Sequence, residues 1–131
     1  MTKAPVQPEW HHLDAAGKVL GRLANQAAQL LLAKHRVDAM PHTIAPVFIV
    51  ITNTDRVVVT GKKEEAKVYR HNTGYPGGVR ERTLAEQRQR DSRRLVRAAV
   101  AGMLPKNSLR DKRLLHLKLY TGPEHNHQAQ L

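Results

Sequence analysis

Seven arginines crowd residues 80–97: Arg80, Arg82, Arg88, Arg90, Arg93, Arg94 and Arg97. A guanidinium group is always charged and fork-shaped, so it suits the paired oxygens of a phosphate. If the helix here is continuous, Arg90, Arg93, Arg94 and Arg97 share one stripe, since residues three and four apart are neighbours on a helix. Four cations on a stripe repel one another unless anions sit between them. The alternative is a solvated face softened by Glu86 and Asp91. Just upstream, the glycines of Thr73-Gly-Tyr-Pro-Gly-Gly78 would let backbone N–H groups approach phosphate closely, although a plain turn has the same composition.

Other chemistries are poorly supplied. His125-x-His127 is a spacing at which two imidazoles can share a metal, but a closed zinc site takes about four ligands. The chain has no cysteine to add, and hydrogen bonding to RNA or packing of the tail serves the pair equally well. Gly17-x-x-x-Gly21 lacks the third glycine of a dinucleotide fingerprint. Gly61-Lys62-Lys63 lacks the earlier glycine and the following Ser or Thr of a phosphate-binding loop. Neither Ser92 nor Ser108 stands on a nucleophile elbow. For acid–base chemistry only Asp14, Asp38 and Asp55 are candidates, and no obvious carboxylate pair is offered.

The 131 residues suit a single domain with a real core. Twenty-two Lys and Arg against 11 Asp and Glu give a formal charge of +11. The excess is uneven: Gly61–Lys118 holds sixteen Lys and Arg against six Asp and Glu, a net +10. Charge of that density draws polyanions and releases their condensed counterions. One Trp, one Phe and three Tyr are too few for a base-stacking platform, so recognition should rest on shape and phosphate. No apolar run reaches the roughly 20 residues of a membrane span, and none near Met1 resembles a signal peptide, so a soluble intracellular chain is expected.

The elements that must carry these groups follow from periodicity. Residues 1–9, with Pro5 and Pro8, read as an extended arm, and Trp10–Leu13 as a first strand. Leu20, Leu23, Ala24, Ala27, Ala28, Leu31 and Leu32 recur at helical spacing, with Lys34, His35 and Arg36 closing the C-terminal end near the dipole's negative pole. Pro41 and Pro46 bracket a loop. Val47–Ile51 is an unalternating β-branched run of the kind covered on both faces, and Arg56–Thr60 reads as another strand. Lys67–Arg70 is a shorter, half-exposed strand. Thr83, with Glu86 three residues on, marks a helix start. A helical pattern then runs through Leu95, Val96, Ala99, Val100 and Met103 to Leu104-Pro105. Asn107–Arg113 is a loop or short helix, Leu115–Tyr120 a last strand, and the rest irregular. Strand, helix and buried strand in so short a chain suggest a βαβ unit in a single three-layer α/β/α domain, residues 10–131, with a mainly parallel central sheet.

Five blocks in register resemble a known family. They are Asp14-Ala-Ala-Gly-Lys-Val-Leu-Gly-Arg-Leu-Ala24, Val57-Val-Val-Thr-Gly-Lys-Lys63, Lys67-Val-Tyr with Thr73–Gly78, Gly102-Met-Leu-Pro-Lys106, and Leu117–Gln130. Together the chain resembles the bacterial-type family of the thirteenth large-subunit ribosomal protein, over roughly residues 10–130. The resemblance implies the same α/β fold, binding to large-subunit ribosomal RNA, a part in early subunit assembly, and no enzymatic activity. Carried over on matching motifs, the RNA contacts would be Arg22, Lys34, His35, Arg36, Lys62, Lys63, His71, Thr73, Gly74, Gly77, Gly78, Lys106, His125 and His127. The basic segments add Arg70, Arg80, Arg93, Arg94, Arg97, Arg110, Lys112 and Arg113.

The family usually has Gly-Asp where Ala45-Pro46 stands, and a glycine-rich basic loop where Asn107–Asp111 stands. The reading expects no cofactor, metal, small-molecule substrate or membrane. It expects ribosomal RNA and neighbouring large-subunit proteins as partners, on a bacterial cytoplasmic or an organellar ribosome. A small nucleotide-using or nucleic-acid-processing enzyme and a free regulatory binding module are the competing classes.

Overall fold

The computed structural model describes residues 8–37 and 43–129. Residues 1–7 of the expected arm, together with Asp38 and Pro41, lie outside the described residues, and Glu9, the arm's last residue, already belongs to a strand. In chain order the elements are β1 (Glu9–Asp14), α1 (Leu20–Leu31), β2 (Val47–Thr52), α2 (Lys63–Ala66), β3 (Val68–Asn72), β4 (Val79–Thr83), α3 (Leu84–Met103), α4 (Arg110–Leu114) and β5 (Leu117–Leu119). None of the helices is long and apolar enough to cross a membrane among the described residues.

Two sheets form. The main one has the order β1-β2-β5, every pairing parallel, with Trp10 opposite Phe48, Leu13 opposite Ile51, and Ile49 opposite Leu117. Val47, Ile49, Val50 and Ile51 of β2 are all fully buried, which is why that run does not alternate. Leu13, Ile49, Ile51 and Leu117 join Leu23, Ala24, Ala27, Ala28 and Leu31 of α1 and Val96 and Val100 of α3 in one core. Both long helices therefore pack on the same face of the sheet.

Among the described residues, rings and not the expected second helical layer lie on the opposite face. Trp10 stacks on Phe48 at 4.6 Å, Phe48 on His116 at 4.3 Å, and His127 of the irregular tail on Trp10 at 5.2 Å. His116 also meets the Val47 carbonyl through Nδ1 at 3.2 Å. Burial holds its pKa below the usual imidazole value, so it sits there as a neutral ring. The described residues thus form a helical layer, a mainly parallel sheet, and a cover of rings.

Helix α1 lacks a side-chain cap at Val19. The Leu20 N–H is met instead by the Val58 carbonyl at 2.8 Å, and the Val58 N–H donates to Lys18 O at 2.8 Å. That single bridge is all that the expected Arg56–Thr60 strand amounts to. Its partner enters a helix at once, so no ladder extends, and Thr54–Arg56 forms a 3-10 turn after left-handed Asn53. At its other end α1 closes with a left-handed residue, Ala33 (φ 58°). Ala33 N–H donates to Leu30 O at 3.0 Å and Lys34 N–H to Gln29 O at 3.2 Å, which satisfies the last carbonyls. Lys34, His35 and Arg36 thus lie past the helix end and not in its last turn.

The second sheet is an antiparallel hairpin, β3 with β4, joined through Thr73–Gly78. Residues Val79–Thr83 were not expected as a strand. Thr83 does cap α3, its Oγ1 accepting from the Glu86 N–H at 3.3 Å. Because Ile51 fills the centre of the main core, Ile51→Ala should cost about 2–5 kcal/mol of stability in urea unfolding; a loss under about 1 kcal/mol would mean the two layers are not held there.

Candidate nucleic-acid interface

Strand alternation sorts the hairpin's charges. Residues directly opposite in an antiparallel pair share a face. Tyr69 pairs Arg82 and His71 pairs Arg80, so Tyr69, His71, Arg80 and Arg82 lie together on one face. The other face carries Arg70 opposite Glu81, and the two are ion-paired at 2.9 Å. Arg70 is therefore neutralised, whereas Arg80 and its neighbours have no acid on their own face. The Lys67 ammonium sits 5.7 Å over the Tyr69 ring, adding a further cation beside it. Partial burial raises the Tyr69 pKa, which keeps the phenol protonated.

The hairpin tip is built by its glycines. Gly74 and Gly77 have φ of 89° and 71°, values that side chains resist. At Gly78 an added Cβ would fall 2.9 Å from the Tyr75 carbonyl and closer still to Thr73 Oγ1, so only glycine fits. The Thr73 N–H donates to Gly78 O at 2.8 Å and the Gly78 N–H to Tyr75 O at 2.9 Å, closing the turn. Tyr75 is left 78% exposed at the apex. Lys62 and Lys63, both exposed, flank the start of α2 nearby in sequence, after left-handed Gly61.

Helix α3 is broken, which alters the arginine stripe. Asp91 is extended (φ −164°, ψ 101°). Its carboxylate accepts from the Arg93 N–H at 3.1 Å, so Asp91 acts as the N-cap of the helix's second half. Ser92 is buried and hydrogen-bonds Thr54 Oγ1 at 2.9 Å and the Asp55 carboxylate, pinning the break to the 3-10 turn. Arg90 thus drops out of the stripe. Arg93 is paired with Asp91 at 3.0 Å, while Arg94 and Arg97 stay exposed. These residues and Leu117 and Leu119 line a shallow cleft of about 420 Å³. Arg88 is structural: it pairs with Glu64 at 2.6 Å and donates to Val57 O at 2.7 Å, tying α2 to α3.

The remaining expected contacts divide. Arg22, Lys34, Lys106 and Lys112 are exposed and Arg110 partly so. Arg113 is 3% exposed, so burial withdraws it from the surface. His35 and Arg36 turn to Glu9, at 3.0 Å and 3.6 Å. His35's hydrogen bond and positive field, with help from His11, hold the Glu9 carboxyl below its ordinary pKa against the opposing effect of burial. His127 accepts from or donates to the Tyr120 hydroxyl at 2.8 Å, and the His127 N–H meets His125 Nδ1 at 3.2 Å. The pair is thus packed on the sheet as a cover. Asp14, a candidate for acid–base work, is held below its usual pKa by the Ala16 N–H and Asn53 in a turn, and Asp55 is spent on Ser92.

The family model described as "Ribosomal protein L13" matches residues 8–126. The chain belongs to the L13 family of ribosomal proteins. It is 46% identical over 127 residues to the "Large ribosomal subunit protein uL13" of Halorhodospira halophila, covering 97% of this chain and 89% of that one. The same-named proteins of Rubrobacter xylanophilus and Thermotoga maritima are each 45% identical over 125 residues, covering 95% of this chain and 87% and 84% of theirs. This is a family of ribosomal proteins and not of enzymes, which removes the enzyme alternative for this L13-family chain.

Sequence reasoning placed Arg82 in the basic cluster but not on a face with Arg80, and it missed Tyr69 and Tyr75 as surface groups. Period-two spacing of Arg80 and Arg82 was the available signal, too short by itself to mark a strand. The Asp91 cap makes a prediction. Asp91→Ala should cost about 1 kcal/mol, whereas Asp91→Asn keeps a capping oxygen and should retain most of that stability at pH 7. Arg93's hydrogen bond lowers the Asp91 pKa from its ordinary 3.8. A depressed carboxylate stabilises above its unfolded value and loses that contribution as pH falls through the folded one. The gap between the native chain and Asp91→Asn should therefore close as pH falls below the ordinary carboxylate range in urea titrations.

Proposed function

We propose that this chain is a structural constituent of the large ribosomal subunit that binds large-subunit ribosomal RNA and supports early subunit assembly beside neighbouring large-subunit proteins. The relatives are named as proteins of the large subunit, and their bacterial sources favour a cytoplasmic ribosome. The observation that carries RNA binding is the hairpin face of Tyr69, His71, Arg80 and Arg82, which has no acid on it and ends in a glycine-built tip. Side chains cannot read the deep, narrow major groove of A-form RNA. Such a surface suits phosphates, 2′-hydroxyls and loops, with Lys62, Lys63, Arg94, Arg97, Lys106 and Lys112 as further cations. Exposed Tyr75 at the apex offers one ring for an unstacked base.

The expected behaviour is electrostatic. If roughly eight phosphates are neutralised, binding of the purified chain to large-subunit RNA should fall with salt at a log–log slope near −6 to −7. A slope shallower than about −2 would sink an extended phosphate interface. Reversing the hairpin face with Arg80→Glu and Arg82→Glu should weaken RNA binding about a hundredfold or more while leaving the urea midpoint nearly unchanged, because both side chains lie outside the core. Arg94→Glu with Arg97→Glu tests the cleft in the same assay. Undiminished affinity in the first pair would remove the hairpin from the interface, and in the second pair would remove the cleft.

A further inference from the structure

The best-formed cluster of metal-ligand side chains lies apart from the basic hairpin, where β1 begins and the chain leaves α1. Glu9 and His11 are two residues apart on one strand, so both side chains leave the same face. His35 reaches them from the turn that follows left-handed Ala33. Glu9 Oε1 is 3.0 Å from His11 Nε2 and 3.1 Å from His35 Nε2. The two imidazoles meet edge to face with centroids 5.6 Å apart. We propose that Glu9, His11 and His35 bind a first-row divalent metal ion of the zinc type, through the two Nε2 atoms and Glu9 Oε1.

The donor set is the first support. Two imidazoles and a carboxylate form a mixed nitrogen and oxygen set that suits such an ion, and three protein ligands leave a position for water. Ligand bonds of about 2.0–2.2 Å place donors about 3.3 Å apart around a tetrahedral centre. The donor atoms here all lie within 4.8 Å of one another, and both Oε1 distances fall a few tenths of an ångström short of that edge. Small side-chain shifts open the room.

The second support is His11. Its Nε2 is shut off from solvent and, despite the 3.0 Å separation, lies off the line that an N–H···O bond to Glu9 requires; it has no other hydrogen-bond partner. Hydrogen bonding to Glu9 accounts fully for His35, whereas the 3.0 Å contact of His11 with the same carboxylate is poorly aligned. A metal between them uses both rings. Side-chain exposures of 30%, 34% and 33% for His11, His35 and Glu9 leave a way in for the ion and its water.

Arg36 is the opposing charge, and its position matters. Its Nη1 is 3.6 Å from Oε2, the oxygen that His35 Nε2 also approaches at 3.0 Å. There the guanidinium lowers the ion's affinity by repulsion, yet as an outer partner of the carboxylate it also helps to hold Glu9 in place. The tail pair offers no rival. His127 Nε2 is taken by Tyr120 and His125 Nδ1 by the His127 N–H, and no carboxylate joins them among the described residues.

Calorimetric titration of the chelator-treated whole chain with Zn²⁺ should show one saturable site. Glu9→Gln, His11→Gln and His35→Gln should each weaken it about tenfold or more, and His125→Gln with His127→Gln should leave it unchanged. No saturable binding below about 100 μM overturns the proposal, as does binding that survives all three substitutions or follows the tail pair. Should those variants fail to fold, the unaltered chain still decides. Its thermal midpoint should rise by about 3 °C or more in excess Zn²⁺, and its Co²⁺ complex should show the visible absorption of low-coordinate nitrogen and oxygen ligation. An unmoved midpoint overturns the site.

Discussion

Strand β2 must be covered on both faces, and the rest of the molecule is arranged to do it. Four of its residues are buried completely, and its backbone pairs with β1 on one edge and β5 on the other. A parallel strand cannot be joined to its neighbour by a tight turn, so long crossovers are forced, and these carry the helices. α1 crosses between β1 and β2; the hairpin, α3 and α4 fill the connection from β2 to β5. Both long helices reach the Ile49 and Ile51 face. The Phe48 and Val50 face is left to Trp10, His116 and the tail, where flat rings cover a sheet thinly in place of a helix.

Against that rigid body the charges are sorted by backbone geometry more than by their number. Alternation sends Arg80 and Arg82 to one face of the hairpin and pairs Arg70 with Glu81 on the other. The cap at Asp91 divides one arginine run into two, and burial diverts Arg88 and Arg113 into the framework. An excess of cations in the sequence thus becomes a smaller set of surface cations with defined neighbours.

Features with a strong local period were legible in the sequence. The apolar spacing from Leu20 to Leu32 gave α1, and the unbroken Val47–Ile51 run gave a strand covered twice. Weak periods misled. Arg56–Thr60 has the composition of a strand, but its partner, Val19, enters a helix after one bridge, a fact of tertiary placement. Val79–Thr83 is a strand only because β3 lies beside it. The stripe at Arg90–Arg97 was conditional on an unbroken helix, and Asp91 followed by Ser92 signals the break, since both residues favour caps over helix interiors. Asp and Arg side chains carry no mark of which will be spent internally, so Arg36, Arg88 and Arg113 could not be told from free cations. The Glu-x-His spacing of Glu9 and His11 was visible, but His35 joins them only through the fold.

The place of β5 in the sheet sets an order of events during synthesis. β2 has its first neighbour as soon as β1 and α1 have emerged, whereas its other edge waits for residues 117–119 and the rings over Phe48 wait for residue 127. For more than sixty residues of elongation the nascent chain carries an open strand edge beside unshielded apolar side chains, the kind of surface on which trigger-type chaperones act and on which premature pairing leads to aggregation. The sheet is completed only after the hairpin and both later helices have been made, so closure of β2 is a late step in the folding of this domain.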